Sequence, residues 1–242
     1  MVKIGLIPAA GQGTRMRPLT YATPKELLHV HGKPVIEYVL ENLKEAGIKK
    51  LFIVITSGKE PIMNFLKDGS EFGLDISYLF QNKQKGLAHA INVGKNFIDE
   101  DFMVALGDDI IRPNNSFKKL LDYHKEKKSD ITISHKKVPK EKVKKYGILE
   151  TNSENKVKRI IEKPDPNKTD SRKAVVGGYI FPKEVFEYIE KTKKGKKGEY
   201  QITDTIQLMI DDKKNTFTKE MGEWIPVGNV KELRKANEHF LK

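Results

Sequence analysis

The sequence has no cysteine, one tryptophan among its 242 residues, and no run of 18 apolar residues. It therefore carries no disulfide framework, no thiol nucleophile and no candidate transmembrane helix. Nothing at the N-terminus reads as a leader, because residues suited to ligand binding begin by Gly11, and the chain reads as cytoplasmic. Arginine is also scarce, six of the 45 basic residues, although the net charge is +12. The lysines crowd into 136–145 and 191–197 without interleaved aromatic residues or a recognisable nucleic-acid fold, which predicts a solvated basic surface and no nucleic-acid partner.

At this length the chain forms one α/β domain over 1–242. Strand and helix patterns alternate: strands at 2–7, 51–55, 76–79 and 102–106, with helices at 34–46, 61–66, 87–96 and 117–127. That half, 1–128, is doubly wound, with ligands expected at the carboxyl ends of its strands. From 129 to 242 the pattern shifts to strands at 131–135, 148–150, 157–162 and 175–181, then helices near 185–191, 205–210 and 230–240. The polar, proline-bearing segment 164–172 is expected to be a mobile loop.

The first strand runs into Pro8-Ala9-Ala10-Gly11-Gln12-Gly13-Thr14-Arg15. Ala9, Ala10, Gly11 and Gly13 clear side chains away from the backbone N–H groups, which suits phosphate oxygens. Arg15, Lys25 and Lys33 follow as cations. A Walker loop would need Gly-Lys-Ser/Thr where Gly13-Thr14-Arg15 stands, and a dinucleotide loop would need glycine at Met16. The loop is a phosphate cradle of neither type.

The stretch resembles the Gly-x-Gly-Thr-Arg…Pro-Lys signature of the sugar-nucleotide pyrophosphorylases, the sugar-phosphate nucleotidyltransferases. Further motifs in the family's order are Gln81–Ala90, Leu106-Gly107-Asp108-Asp109-Ile110, Tyr146-Gly147, Glu162-Lys163-Pro164, Gly177-Gly178-Tyr179 and Gly198–Asp204, so the resemblance spans nearly the whole chain. It is nearest to UTP–glucose-1-phosphate uridylyltransferases, with glucose-1-phosphate thymidylyltransferases next. The resemblance implies a Rossmann-like, glycosyltransferase-A-like three-layer fold with a mixed central sheet, 1–128 mainly binding nucleotide and 129–242 mainly sugar. No hexapeptide period follows Asp212, so a fused β-helix acyltransferase is not expected. A homo-oligomer is expected by resemblance only.

The implied reaction is attack of a sugar 1-phosphate oxygen on the α-phosphorus of a nucleoside triphosphate. The nucleophile is already an anion, so catalysis is alignment and charge neutralisation. Arg15, Lys25, Asp108 and Lys163 are the candidate catalytic residues, with Asp108 a ligand of Mg²⁺. Asp109 is expected to face away. Ala9, Ala10, Gly11, Gly13, Thr14, Arg15, Gln81 and Gly86 are assigned to the nucleotide, the Gln81 amide matching a carbonyl and an N–H of a pyrimidine. Gly107, Gly147, Glu162, Lys163, Gly178 and Glu199 are assigned to the sugar. His89 is read as packing on its helix, since no second His or Cys stands at ligand spacing. The family's second metal-binding aspartate falls at Pro226, and Glu223 should project to the other side of its extended strand. That departure motivates an alternative reading, a non-catalytic nucleotide sensor.

Overall fold

The computed structural model describes residues 2–195 and 198–241; the end of the predicted 191–197 lysine run lies outside them. Its first half contains β1 (Ile4–Pro8), a short hairpin β2 (His29–Val30) and β3 (Lys33–Pro34), α1 (Val35–Glu45), β4 (Lys50–Ile55), α2 (Glu60–Leu66) and β5 (Asp75–Phe80). Then come α3 (Leu87–Asn92), β6 (Phe102–Ala105), β7 (Asp109–Arg112) and α4 (Ser116–Glu126). The second half contains β8 (Ile131–Lys137), β9 (Gly147–Thr151), β10 (Val157–Glu162), β11 (Lys173–Phe181), α5 (Val185–Lys191), α6 (Ile202–Asp211), β12 (Thr216–Glu220), β13 (Glu223–Pro226) and α7 (Val230–His239).

A nine-stranded mixed sheet runs β10-β9-β11-β6-β1-β4-β5, with β8 joined to β11 and β12 to β8. β1 is parallel to both β4 and β6, and the antiparallel β11 turns the sheet mixed beside β6. A strand covered on both faces must be apolar at every position. In β1, Ile4 and Leu6 enter one core layer while Ile7 enters the other. α1 buries Val35, Ile36, Val39, Leu40 and Leu43, the predicted face, and Gly47 at φ 84° closes it.

Helix α3 is shorter than the predicted 87–96. Beyond Asn92 the chain continues in tight turns, with Val93 N–H donating to Ala90 and Gly94 N–H to Ile91. A side chain on Gly94 would sit 2.9 Å from the Leu6 side chain, so the backbone itself packs there. The segment 164–172 is irregular, as expected, and tied to the sheet near its end, where Thr169 donates to Glu150 (2.8 Å) and Ser171 to the Leu149 carbonyl (2.5 Å).

The sequence pattern missed β7, β12 and the pairing of β13. Strands β7 and β13 form a separate antiparallel ribbon with Pro226 opposite Asp109. Its alternation is visible in retrospect, since Ile110 and Ile225 enter one cluster while Ile111 and Trp224 face another. Among the described residues no helix is long and apolar enough to cross a membrane.

Candidate active site

A cleft of about 1020 Å³ opens beyond the carboxyl end of β6, lined by Arg15, Asp108, Lys163, Glu199 and Pro226 among others. The loop after β1 forms one wall. Ala9 and Ala10 are buried, Gly13 takes φ 62°, and its carbonyl accepts from Met16 N–H and Thr20 Oγ1 (both 2.8 Å). Those bonds curl 13–16 into a single 3-10 turn that presents Thr14 and Arg15 to solvent. A side chain on Gly11 would lie 3.9 Å from Lys25 Nζ, so this lysine sits directly against the loop.

Lys25 Nζ donates to Asp108 Oδ2 at 2.5 Å, with both side chains only about one-fifth exposed. Burial opposes charge on each partner. For Lys25 the carboxylates of Asp108 and Glu26 outweigh it and raise the ammonium's pKa; for Asp108 the cations Lys25 and Arg15 outweigh it and hold the carboxyl below its usual range. Both therefore stay ionised at neutral pH. Beneath them Glu26 forms a deeply buried pair with Lys59 (2.6 Å).

Asp109 also lines the cleft, contrary to the expectation that it faces away, and it clamps the ribbon to the sheet. Its carboxylate accepts from Gly177 N–H and Trp224 Nε1, each at 2.9 Å. Burial and the neighbouring Asp108 charge push its pKa up to about 7.

On the same lining, Lys163 takes φ 45° and pairs with Glu162, which also accepts from Thr203 Oγ1 (3.1 Å). Glu199 lines the cleft and accepts from Gln201 Nε2 (3.1 Å). Gly147 packs against Thr203, where a side chain would fall 2.7 Å from Thr203 Cγ2. Gln81 is buried at the end of β5, and Gly86 (φ 104°) leads into α3 with no room for a side chain, because the Tyr200 carbonyl would be 2.5 Å away. The segment 199–201 thus touches both the cleft and the predicted base-reading turn.

Two assigned glycines are packed within the sheet. Gly107 is buried against Ile7 and Glu26, and Gly178 against Phe117 and Val104, so packing accounts for both glycines. Gly177, which donates to Asp109, is the glycine nearer the site. Lys33 pairs with Glu41 (2.6 Å) over the Tyr38 ring and does not join the cations of the loop.

Pro226 faces the cleft beside Asp108, and Glu223 points away to His239 (2.9 Å), both as expected. Lys144, Lys145, Tyr146, Trp224 and Glu232 also line the cleft and were not singled out. The two lysines belong to a run read as solvated surface, and only the 3-10 turn over Lys140–Lys145 brings them round. A separate cavity of about 720 Å³ at 99–101 and 118–129 contains none of the assigned residues.

A sequence model described as Nucleotidyl transferase matches residues 4–242. The chain belongs to that family. One relative is the low-salt glycan biosynthesis nucleotidyltransferase Agl11 of Haloferax volcanii, 35% identical over 241 residues, covering 98% of this chain and 66% of that protein. A UTP–glucose-1-phosphate uridylyltransferase of Bacillus subtilis is 37% identical over 236 residues, covering 86% of this chain and 80% of the relative. Among solved structures, a UDP-glucose pyrophosphorylase complexed with UDP-glucose aligns with a TM-score of 0.89 and 30% identity, over 100% of this chain and 99% of that one. The cleft of this nucleotidyl transferase thus gathers Arg15, the Lys25–Asp108 pair and Lys163 along one lining.

Proposed function

We propose that this nucleotidyltransferase transfers the uridylyl group of UTP to glucose 1-phosphate, releasing pyrophosphate and forming UDP-glucose. The observation that carries the reading is a single cleft lined by Arg15, Asp108, Lys163 and Glu199, with Lys25 bonded to Asp108 at its edge. The loop and Arg15 hold the triphosphate, Lys163 holds the sugar phosphate, and Glu162 and Glu199 accept from sugar hydroxyls. With both phosphates aligned, the sugar phosphate oxygen attacks the α-phosphorus. Lys25 and Arg15 neutralise the charge that spreads onto the phosphate oxygens and pyrophosphate.

The residues fit a divalent cation, magnesium above all. Asp108 is an ionised hard-oxygen donor facing the cleft, and a cation, the Lys25 ammonium, already rests against it. Among the described residues no cluster of three or more His, Cys, Asp or Glu side chains could hold a metal by itself. That suits magnesium, which takes one or two carboxylates and completes its shell with phosphates and water. Bound there, the ion supplies further charge neutralisation at the phosphates. The cytoplasm is the proposed location.

Pyrophosphate release measured with UTP, dTTP, CTP, ATP and GTP, each against glucose 1-phosphate and N-acetylglucosamine 1-phosphate, tests the substrate pair. UTP with glucose 1-phosphate is expected to be best, and binding of UTP without turnover would favour the sensor reading.

Two variants examine the cleft. Lys163→Ala should raise the KM for glucose 1-phosphate by roughly tenfold to a hundredfold with a smaller change in kcat, the loss of one charge-assisted contact worth about 1.5–3 kcal/mol. An effect confined to the KM for UTP would contradict the assignment of Lys163 to the sugar phosphate. Pro226→Asp places a carboxylate beside Asp108 and should tighten Mg²⁺ binding by roughly tenfold, about 1.4 kcal/mol. An unchanged half-saturating magnesium concentration would show that position 226 does not reach the ion.

A further inference from the structure

The buried side chain of Gln81 ends against His89: Gln81 Nε2 and His89 Nδ1 are 2.7 Å apart. An amide NH₂ donates and never accepts, so this contact requires Nδ1 to carry a lone pair. It takes one of the two amide hydrogens. The amide oxygen and the second N–H remain for a ligand, in a fixed order.

That order matters for pyrimidines. Uracil and thymine present an N3–H donor beside a carbonyl acceptor, which an amide matches with its oxygen on N3–H and its N–H on the carbonyl. Cytosine presents an N3 acceptor beside an amino donor, so the same pose requires the amide to be rotated by half a turn. Rotation would bring Gln81 Oε1 against the Nδ1 lone pair at about the same separation, replacing a hydrogen bond by a repulsion.

The ring is well placed to enforce this. Tyr200 lies alongside it, ring centroids 6.5 Å apart and 23° from parallel. The Tyr200 backbone clasps the start of α3, donating to the Lys85 carbonyl (2.7 Å) and accepting from Ala88 N–H (3.1 Å). Burial, and then the Lys85 charge, lower the imidazole's pKa, so the ring is neutral and one nitrogen is an acceptor. It lines a cavity of about 190 Å³ with the Lys85 side chain, with the Glu190 carboxylate, which accepts from Lys95 Nζ (2.6 Å), and with Asn92, whose buried Oδ1 has no partner. With the amide NH₂ toward the ring the lone pair is on Nδ1 and the hydrogen on Nε2, on a ring whose cavity offers the unpartnered Asn92 oxygen as an acceptor. Gln81 itself is anchored through its N–H to the Ile55 carbonyl (2.8 Å).

We propose that His89 is a positioning residue that sets the orientation of the Gln81 amide and so makes the site select uracil or thymine over cytosine. The proposal rests on the nucleotide half of the function given above, with Gln81 reading the base. It assigns no contact between His89 and substrate.

The test compares wild type, His89→Ala and His89→Asp, in pyrophosphate release with UTP, dTTP and CTP and in calorimetric binding of the same nucleotides without sugar phosphate. Alanine frees the amide to rotate, and the UTP-to-CTP ratio of kcat/KM and of affinity should fall about tenfold. Aspartate is an acceptor only and should keep the ratio near the wild-type value, whatever its charge does to triphosphates in general. dTTP should follow UTP in every protein, and a melting temperature within a few degrees of wild type shows that α3 is intact. An unchanged ratio in His89→Ala, or an equal fall in both variants, would overturn the proposal. Should wild type release no pyrophosphate from any nucleotide, the enzymatic reading fails, and the affinity ratios alone still decide the role of His89.

Discussion

Replacing Asp108 by asparagine is expected to lower kcat by about three orders of magnitude while leaving the fold intact. The side chain keeps its shape beside Lys25, but the charge that neutralises the ammonium, and that in the proposed function would hold a cation against the phosphates, is gone. Loss of one preorganised electrostatic contact of this kind costs about 3–4 kcal/mol in the transition state. The effect on stability should be small for a specific reason. Asp108 raises the pKa of the buried Asp109, so removing its charge lets Asp109 ionise more readily while accepting from Gly177 and Trp224. That gain offsets part of the lost Lys25 pairing. Steady-state kinetics with a parallel thermal melt check both halves, and turnover within tenfold of wild type would remove Asp108 from the mechanism.

Lys59→Met is expected to have the largest effect on stability. Glu26 and Lys59 pair at 2.6 Å with side chains 1% and 5% exposed, and Glu26 Oε1 has no other partner. Deleting the lysine leaves a buried carboxylate whose remaining neighbouring cation, Lys25, is already committed to Asp108. Breaking such a pair costs about 3–5 kcal/mol, whereas neutral partners of similar size replace it at little cost. In a domain of this length that corresponds to a fall in melting temperature of roughly 10 °C. The double variant Glu26→Leu with Lys59→Met, an apolar pair of similar volume, should recover most of the loss. If the single variant melted with wild type, the pair would contribute nothing to holding the Lys25 turn against the end of β6.

The parts of the site legible in the sequence were those with a strong local signature. The apolar run of β1 had to be a strand covered on both faces, and small residues followed by Arg15 and Lys25 had to approach an anion. Lys163 and Glu199 were recognisable only through the order of the motifs around them. What stayed hidden depends on contacts distant in sequence. Strands β7 and β13 are four residues each, too short for a period to register, yet their pairing brings Pro226 to the cleft. The clamp by Asp109 joins positions 109, 177 and 224, and the Glu26–Lys59 pair joins a turn to the start of α2. Gly107 and Gly178 add a second use: a glycine within a binding motif can also serve the packing of the sheet, which only the neighbours at its Cβ position reveal.

The most direct test follows the phosphorus atoms. Purified protein incubated with UTP, glucose 1-phosphate and Mg²⁺ should convert the three UTP resonances in the ³¹P NMR spectrum into the coupled pair of a sugar nucleotide diphosphate plus free pyrophosphate. The reaction should run backwards when UDP-glucose and pyrophosphate are supplied. An unchanged spectrum, or inorganic phosphate in place of pyrophosphate, would contradict the assignment of this cleft to nucleotidyl transfer.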